Sequence, residues 1–174
     1  EHFITFGSFN HLSKLNRKVL QLWAEILKQL PSSQLLLKYN GFEFKEVCEY
    51  YWKIFEQEGV EPQRVILQHS TRSRQDHLQR YHLVDIALDP FPFNGHTTTM
   101  EALWMGVPVI AIKVNTGFGR VAFSFLAELD LDELIADTPE EYIFKALALA
   151  SNPTRLRELH QNLRAMLWNS PLCD

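Results

Sequence analysis

Residues 84–108 read Val84-Asp85-Ile86-Ala87-Leu88, then Asp89-Pro90-Phe91-Pro92-Phe93-Asn94-Gly95, then His96-Thr97-Thr98-Thr99-Met100-Glu101-Ala102-Leu103-Trp104-Met105, then Gly106-Val107-Pro108. A short apolar run ends in a Pro- and Gly-rich turn. The turn opens into a helical stretch that Gly106 and Pro108 stop. This is the signature of strand, turn and helix in succession. Three hydroxyl residues, Thr97, Thr98 and Thr99, stand at the helix start. A helix N-terminus carries unpaired backbone N–H groups and a partial positive charge, so it attracts phosphate.

The same alternation recurs on both sides of this stretch. Apolar, β-rich runs predict strands at Phe3–Phe6, Gln34–Lys38, Arg64–Gln68, Val84–Leu88 and Val107–Ile112, with a short one at Leu134–Ala136. Helices are expected over Arg17–Gln29, Phe44–Gln57, Arg74–His82 and Thr97–Met105. Asn16 caps the first, whose apolar face carries Val19, Trp23, Ile26 and Leu30. Ser73 with Asp76 resembles a capping box for the third. The remainder, about 138–170, is helical: Thr138-Pro139-Glu140-Glu141 is a full start signal. Asn152-Pro153 opens a helix with Leu156, Leu159, Leu163 and Leu167 on one side.

Alternating strands and helices imply an α/β fold, a Rossmann-like parallel sheet with helices on both faces. In such sheets ligands bind beyond the carboxyl ends of the strands. The segments to search are therefore Gly7–Lys14, Lys38–Gly41, Gln68–Arg80, Asp89–Thr99 and Lys113–Arg120. With 174 residues and 46% hydrophobic composition, the chain can bury one substantial core. A net charge of −4 gives no electrostatic reason to expect nucleic acid or an anionic membrane as partner. No apolar run approaches the ~20 residues of a membrane span. Cys48 and Cys173 lack metal or redox spacing and read as two free thiols of a cytoplasmic protein. The chain starts without Met, almost directly in a strand, and stops just past Ser170-Pro171-Leu172. It is expected to be a single lobe, residues 1–174, excised from a longer protein.

Three segments carry candidate chemistry, each with a plainer alternative. After the first strand, Gly7-Ser8-Phe9-Asn10-His11-Leu12-Ser13-Lys14 allows a tight turn, and Lys14 can reach back as a point charge for phosphate. On spacing alone, a solvated loop lysine is the stronger reading. After the third, Arg74, His77 and Arg80 recur every three residues and share a helix face. That face suits a base or ribose, or is simply solvated. In the fourth, His96 and the threonines supply donors, and Glu101 can accept from ribose hydroxyls. The competing reading there is a capping box of Thr98 with Glu101 and no ligand. Phosphate-loop, dinucleotide, zinc-protease and serine-hydrolase motifs are absent from the sequence. Asp130-Leu131-Asp132 reads as a solvated acidic turn, so no metal and no cofactor are expected.

Taken together these segments resemble the C-terminal catalytic lobe of the O-GlcNAc transferase and SPINDLY family, often preceded by tetratricopeptide repeats. The marks are Phe9-Asn10-His11-Leu12-Ser13-Lys14, Leu83–Asp89, Asn94–Val109, Gly119-Arg120-Val121-Ala122 and Ser170-Pro171-Leu172, and they run nearly end to end. The resemblance implies a GT-B architecture, two Rossmann-like lobes with the nucleotide-sugar held mainly by this one. It also implies an inverting, metal-independent glycosyltransferase passing GlcNAc from UDP-GlcNAc to protein Ser/Thr hydroxyls.

Carried over by position, Lys14 contacts the diphosphate and is the catalytic candidate, with His11 beside it. Arg74, His77 and Arg80 surround base and ribose. His96, Thr97 and Thr98 hold the diphosphate, and Glu101 takes a ribose hydroxyl. The chain has His11, Arg74 and Glu101 where animal members have Gln, Lys and Asp, so GDP-fucose remains an alternative donor. Its wording is closer to bacterial members. A degenerate nucleotide sensor or protein-interaction module is the alternative without catalysis. The acceptor protein is expected to bind through parts outside this chain, and the isolated lobe to be inactive.

Overall fold

A computed structural model describes residues 3–114 and 119–173. Six parallel strands form one sheet: β1 (Thr5–Ser8), β2 (Gln34–Lys38), β3 (Val65–Gln68), β4 (Ile86–Leu88), β5 (Val109–Ile112) and β6 (Ile135–Ala136). Their order is β3-β2-β1-β4-β5-β6. The chain builds outward from β1 in one direction, then returns to β4 and builds outward in the other. Right-handed crossovers running in opposite directions put helices on opposite faces. The reversal leaves a crevice between the carboxyl ends of β1 and β4, where such sheets bind ligands.

The helices are α1 (Arg17–Gln29), α2 (Lys45–Gln57), α3 (Arg74–Gln79), α4 (Thr97–Trp104), α5 (Val121–Glu128), α6 (Pro139–Ala150) and α7 (Pro153–Trp168). Local side-chain chemistry starts four of them. Asn16, Ser73, Thr138 and Asn152 accept from the amides of Val19, Asp76, Glu141 and Arg155 at 3.0–3.2 Å. Glu141 also reaches back to the Asp137 amide at 2.8 Å. Helix α1 packs on α2 and α6, and α4 packs on α7. The Trp23 indole of α1 donates to the Tyr142 hydroxyl of α6 at 3.1 Å, and that hydroxyl donates to the Asp89 carbonyl at 3.0 Å. The far side of the core is thereby tied to the end of β4. Leu156, Leu159, Leu163 and Leu167 are buried as their spacing predicts.

Several expected boundaries shift. The first strand is Thr5–Ser8, two residues later than the apolar run suggests. Gly7, read as a turn residue, therefore lies inside β1, where a Cβ would fall 2.5 Å from a Val84 methyl. The third helix ends at Gln79 and tightens into a 3-10 turn over Arg80–Leu83. Helix α5 was not expected; its segment is apolar nearly throughout and shows no period. The expected Lys113–Arg120 segment lies partly outside the described residues.

Gly106 ends α4 with φ +79°, and a Cβ there would lie 2.7 Å from the His160 carbonyl oxygen. Left-handed strain alone costs a non-glycine residue about 1–3 kcal/mol. Gly106→Ala is expected to lose at least that much unfolding free energy in urea titration, whereas Ala at the exposed Ser151 changes little.

Candidate functional site

The crevice is built by the loops after β1 and β4. Asp89, the residue after β4, is buried, and its Oδ1 accepts from the Gly95 amide at 2.9 Å and the Thr99 hydroxyl at 3.2 Å. One carboxyl oxygen thus closes the 89–95 turn and pins the first turn of α4. Asn94 donates to the Pro90 carbonyl at 3.0 Å, tightening the same turn. At Gly95 a Cβ would meet the Thr99 hydroxyl, Asp89 and the Thr98 hydroxyl at 2.5–2.7 Å, so only glycine fits.

The β1 loop is clamped onto this turn at three points. Lys14 Nζ donates to the Asn94 carbonyl at 2.8 Å and sits 4.6 Å from the centre of the Phe93 ring. Asn16 Nδ2 donates to the Phe91 carbonyl at 2.7 Å. The Thr98 hydroxyl donates to Asn10 Oδ1 at 2.9 Å, and Asn10 is itself buried. Burial lowers the Lys14 pKa, and the Asp89 charge opposes that shift. Lys14 is thus a partly desolvated cation at the mouth of the loop.

The three threonines divide their work. Thr97, at the first helical position, is exposed. The Thr98 hydroxyl is committed to Asn10, and its carbonyl accepts from the Tyr81 hydroxyl at 3.1 Å. Thr99 is buried against Asp89. The cap position is His96, whose side chain makes no capping bond; its ring packs against Phe125 at 5.6 Å between centroids. The capping box of Thr98 with Glu101 is therefore overturned. The helix starts two residues before it requires, which leaves the first-turn amides without a side-chain cap.

Glu101 faces α3 instead. Its Oε2 lies 2.9 Å from His77 Nε2, and its Oε1 lies 3.9 Å from an Arg74 guanidinium nitrogen. Arg74 and His77 thus converge on one carboxylate. Arg80 is exposed just past the end of α3, close enough for its charge to bear on Lys38. His11 caps the 3-10 turn Leu12–Lys14: its Nδ1 accepts from the Ser13 amide at 3.1 Å, and its ring lies 4.5 Å from that of Tyr39. With Nδ1 occupied as an acceptor, Nε2 is left to donate outward. All nine expected residues thus lie on the β1 loop, α3 and the start of α4, around the carboxyl ends of β1 and β4.

Four residues escaped the sequence reading: Asn10, Lys38, Tyr81 and Asp89. Asp89 was the most accessible of them. An acid directly after a buried strand, ahead of a Gly turn, is placed to collect turn amides. Lys38 gave no signal, because a lysine ending a strand ordinarily reaches solvent.

Complete burial pushes the Asp89 carboxyl up from 3.8 to about 7, against the pull of the Gly95 amide, Thr99 and Lys14. Between about pH 4 and 7 the native state therefore holds a proton that the unfolded chain has lost. The contribution of Asp89 to stability falls as pH rises through that window, by at most ~1.4 kcal/mol per pH unit. Asp89→Asn keeps an acceptor for Gly95 and Thr99 and removes the titration. Unfolding free energies of this variant are expected to fall less between pH 5 and pH 7 than those of the unsubstituted protein.

Comparison with known proteins places the chain in a family and its fold among solved structures. The profile of glycosyl transferase family 41 matches residues 1–174. SPINDLY of Solanum lycopersicum, named a probable UDP-N-acetylglucosamine–peptide N-acetylglucosaminyltransferase, is 44% identical over 172 residues, covering 99% of this chain and 18% of that protein. The Caenorhabditis elegans UDP-N-acetylglucosamine–peptide N-acetylglucosaminyltransferase is 33% identical over 165 residues, 95% of this chain and 14% of its own length. Among solved structures, a point mutant of the Thermobaculum terrenum O-GlcNAc transferase superposes with a TM-score of 0.92 at 39% identity, over 95% of this chain and 32% of that one. The chain spans less than a fifth of the curated relatives' length. The expected Rossmann-like sheet of a GT-B transferase is borne out.

Proposed function

The chain belongs to glycosyl transferase family 41, and on that premise we propose that it is the nucleotide-sugar-binding lobe of a protein O-GlcNAc transferase. The observation that carries this reading is the juxtaposition of Lys14, 2.8 Å from the Asn94 carbonyl, with the uncapped start of α4 at the sheet's switch point. A nucleoside diphosphate laid across α4 meets its amides, the exposed Thr97 hydroxyl, the outward nitrogen of His11 and the Lys14 ammonium. The ribose and base then lie toward α3, against Glu101, His77, Arg74 and Arg80.

In the reaction proposed, a Ser or Thr hydroxyl oxygen of the acceptor protein attacks the anomeric carbon of UDP-GlcNAc. The bond from that carbon to the diphosphate breaks with inversion, and UDP leaves with the bonding pair. Negative charge grows on the diphosphate as the bond lengthens. Lys14 and the first-turn amides of α4 face that charge from fixed positions, which lowers the barrier more than it tightens ground-state binding. They take the place of a metal ion in this reading. The hydroxyl proton goes to a base in the opposite lobe, supplied with the acceptor groove by residues outside this chain. No described helix is long and apolar enough to cross a membrane, which is compatible with the bacterial-type, cytoplasmic, tetratricopeptide-bearing parent the resemblance suggests.

Calorimetric titration with uridine and guanosine diphosphates tests the reading. A charged hydrogen bond is worth about 1.5–3 kcal/mol, so Lys14→Ala is expected to weaken uridine diphosphate binding by at least about tenfold. Binding of neither nucleotide favours a degenerate interaction module. Tighter binding of guanosine diphosphate moves the donor to a GDP-sugar. Residues 1–174 alone are expected to bind without turnover, and sugar transfer by them would overturn the division of labour between lobes.

A further inference from the structure

Lys38 ends β2 with only 3% of its surface exposed. No ion pair joins it to a carboxylate among the described residues. Its Nζ lies 2.8 Å from His77 Nδ1 and 5.4 Å from the centre of the Phe9 ring. Burial lowers its pKa, the nearby Arg80 charge lowers it further, and Glu101 opposes both. A desolvated ammonium whose direct partner is an imidazole nitrogen and not a carboxylate is costly, so its retention in a core position asks for a role. An aliphatic side chain would fill the same space without that cost.

The hydrogen-bonding inventory supplies one. As an ammonium, Lys38 donates and cannot accept, which makes His77 Nδ1 the acceptor and leaves the ring proton on Nε2. That proton points at Glu101 Oε2, 2.9 Å away. Lys38 of β2, His77 of α3 and Glu101 of α4 therefore form a directed relay across three elements. The relay fixes the imidazole tautomer and holds one Glu101 oxygen. The other, Oε1, lies 3.9 Å from an Arg74 guanidinium nitrogen and makes no hydrogen bond among the described residues.

We infer that Lys38 is a positioning residue for the nucleotide's ribose, acting through the His77 tautomer to hold Glu101 as a fixed acceptor for ribose hydroxyls. This rests on the nucleotide-sugar reading above and deepens it. Without the ammonium, the ring is free to take its proton on Nδ1, and Nε2 then turns a lone pair toward Glu101. The carboxylate swings away, and selectivity for a hydroxylated sugar is lost while the diphosphate grip at Lys14 and α4 is untouched.

The test compares uridine diphosphate with its 2′,3′-dideoxy form, and guanosine diphosphate with its own, by calorimetry on the full-length protein. The unsubstituted protein is expected to prefer the ribonucleotide by about tenfold or more. Lys38→Met is expected to bring that preference to within about twofold and leave dideoxynucleotide affinity unchanged. Lys38→Arg, which keeps a cationic donor, is expected to retain most of it. In a His77→Ala background, where the relay is already cut, Lys38→Met is expected to change nothing further. This cycle keeps the inference falsifiable through Lys38→Arg and His77→Ala if Lys38→Met does not fold.

An undiminished preference in Lys38→Met, or equal weakening of ribo and dideoxy forms, overturns the positioning role and leaves the nucleotide reading standing. An unsubstituted protein that binds the diphosphates without preferring ribose does the same. Failure to bind either diphosphate removes the nucleotide reading, and the inference with it.

Discussion

The Asp89 carboxyl is the constraint on which the crevice depends. A single buried oxygen receives both the Gly95 amide and the Thr99 hydroxyl. The end of β4, the 89–95 turn and the first turn of α4 consequently move as one body. Burying this acid is unfavourable, as its raised pKa records. The cost is offset by a turn tight enough to bring the Asn94 carbonyl to Lys14. The Tyr142 hydroxyl holds the backbone carbonyl of the same residue, so the crevice is braced from the core through Trp23. The same few bonds thus hold both the buried acid and the scaffold.

That rigidity gives the loop its chemical value. An electrostatic site stabilises a growing charge only if its dipoles already point at it. The Thr98 and Thr99 hydroxyls, which sequence inspection offers as ligands, are used to hold the helix start in place. What they orient is the backbone. The amides of the first turn of α4, left without a side-chain cap by His96, point out of a helix locked to both neighbouring strands. In this arrangement the threonines act as framework, and the peptide groups of the first turn are what the proposed anion would meet.

The alternation of strand and helix was legible because each element carries its own signal. Gln34–Lys38 and Arg17–Gln29 have the bounds that period and capping predict, and Thr138 and Asn152 cap where they should. Helix α5 was missed because Val121–Glu128 is short and mostly apolar, with only Ser124 and Glu128 to mark its exposed side. The first strand was placed two residues early because its apolar run ends where Gly7 and Ser8 continue the ladder. Those two residues pair with Leu36 and Leu37 by backbone alone. Within the site, motif residues were legible and the contacts among them were not. The pattern Thr98-x-x-Glu101 satisfies a capping box locally. The helix starts earlier because Asp89, ten residues from Thr99, determines where its first turn sits. Lys38 was invisible for a related reason: its burial comes from α3 and Phe9 arriving over the end of β2, which no neighbouring residue announces.

The chain is acidic overall, yet the crevice gathers Lys14, Lys38, Arg74 and Arg80 with a helix N-terminus around two carboxyl groups, one of which, Asp89, is half neutral near pH 7. Net charge is therefore a poor guide to what this protein binds; placement decides. Exposed cations such as Arg74 and Arg80 attract an anion over a Debye length of roughly 8 Å in physiological salt. The half-buried Lys14 is screened less and acts at contact. Lys38 is buried and faces inward, 2.8 Å from His77 Nδ1. The gradation in burial separates three settings for one type of charge: exposed, half-buried and buried. An acid, Glu101, stands among these cations. Its carboxylate is faced by Arg74 at 3.9 Å and His77 at 2.9 Å, with Lys38 on the far side of the His77 ring.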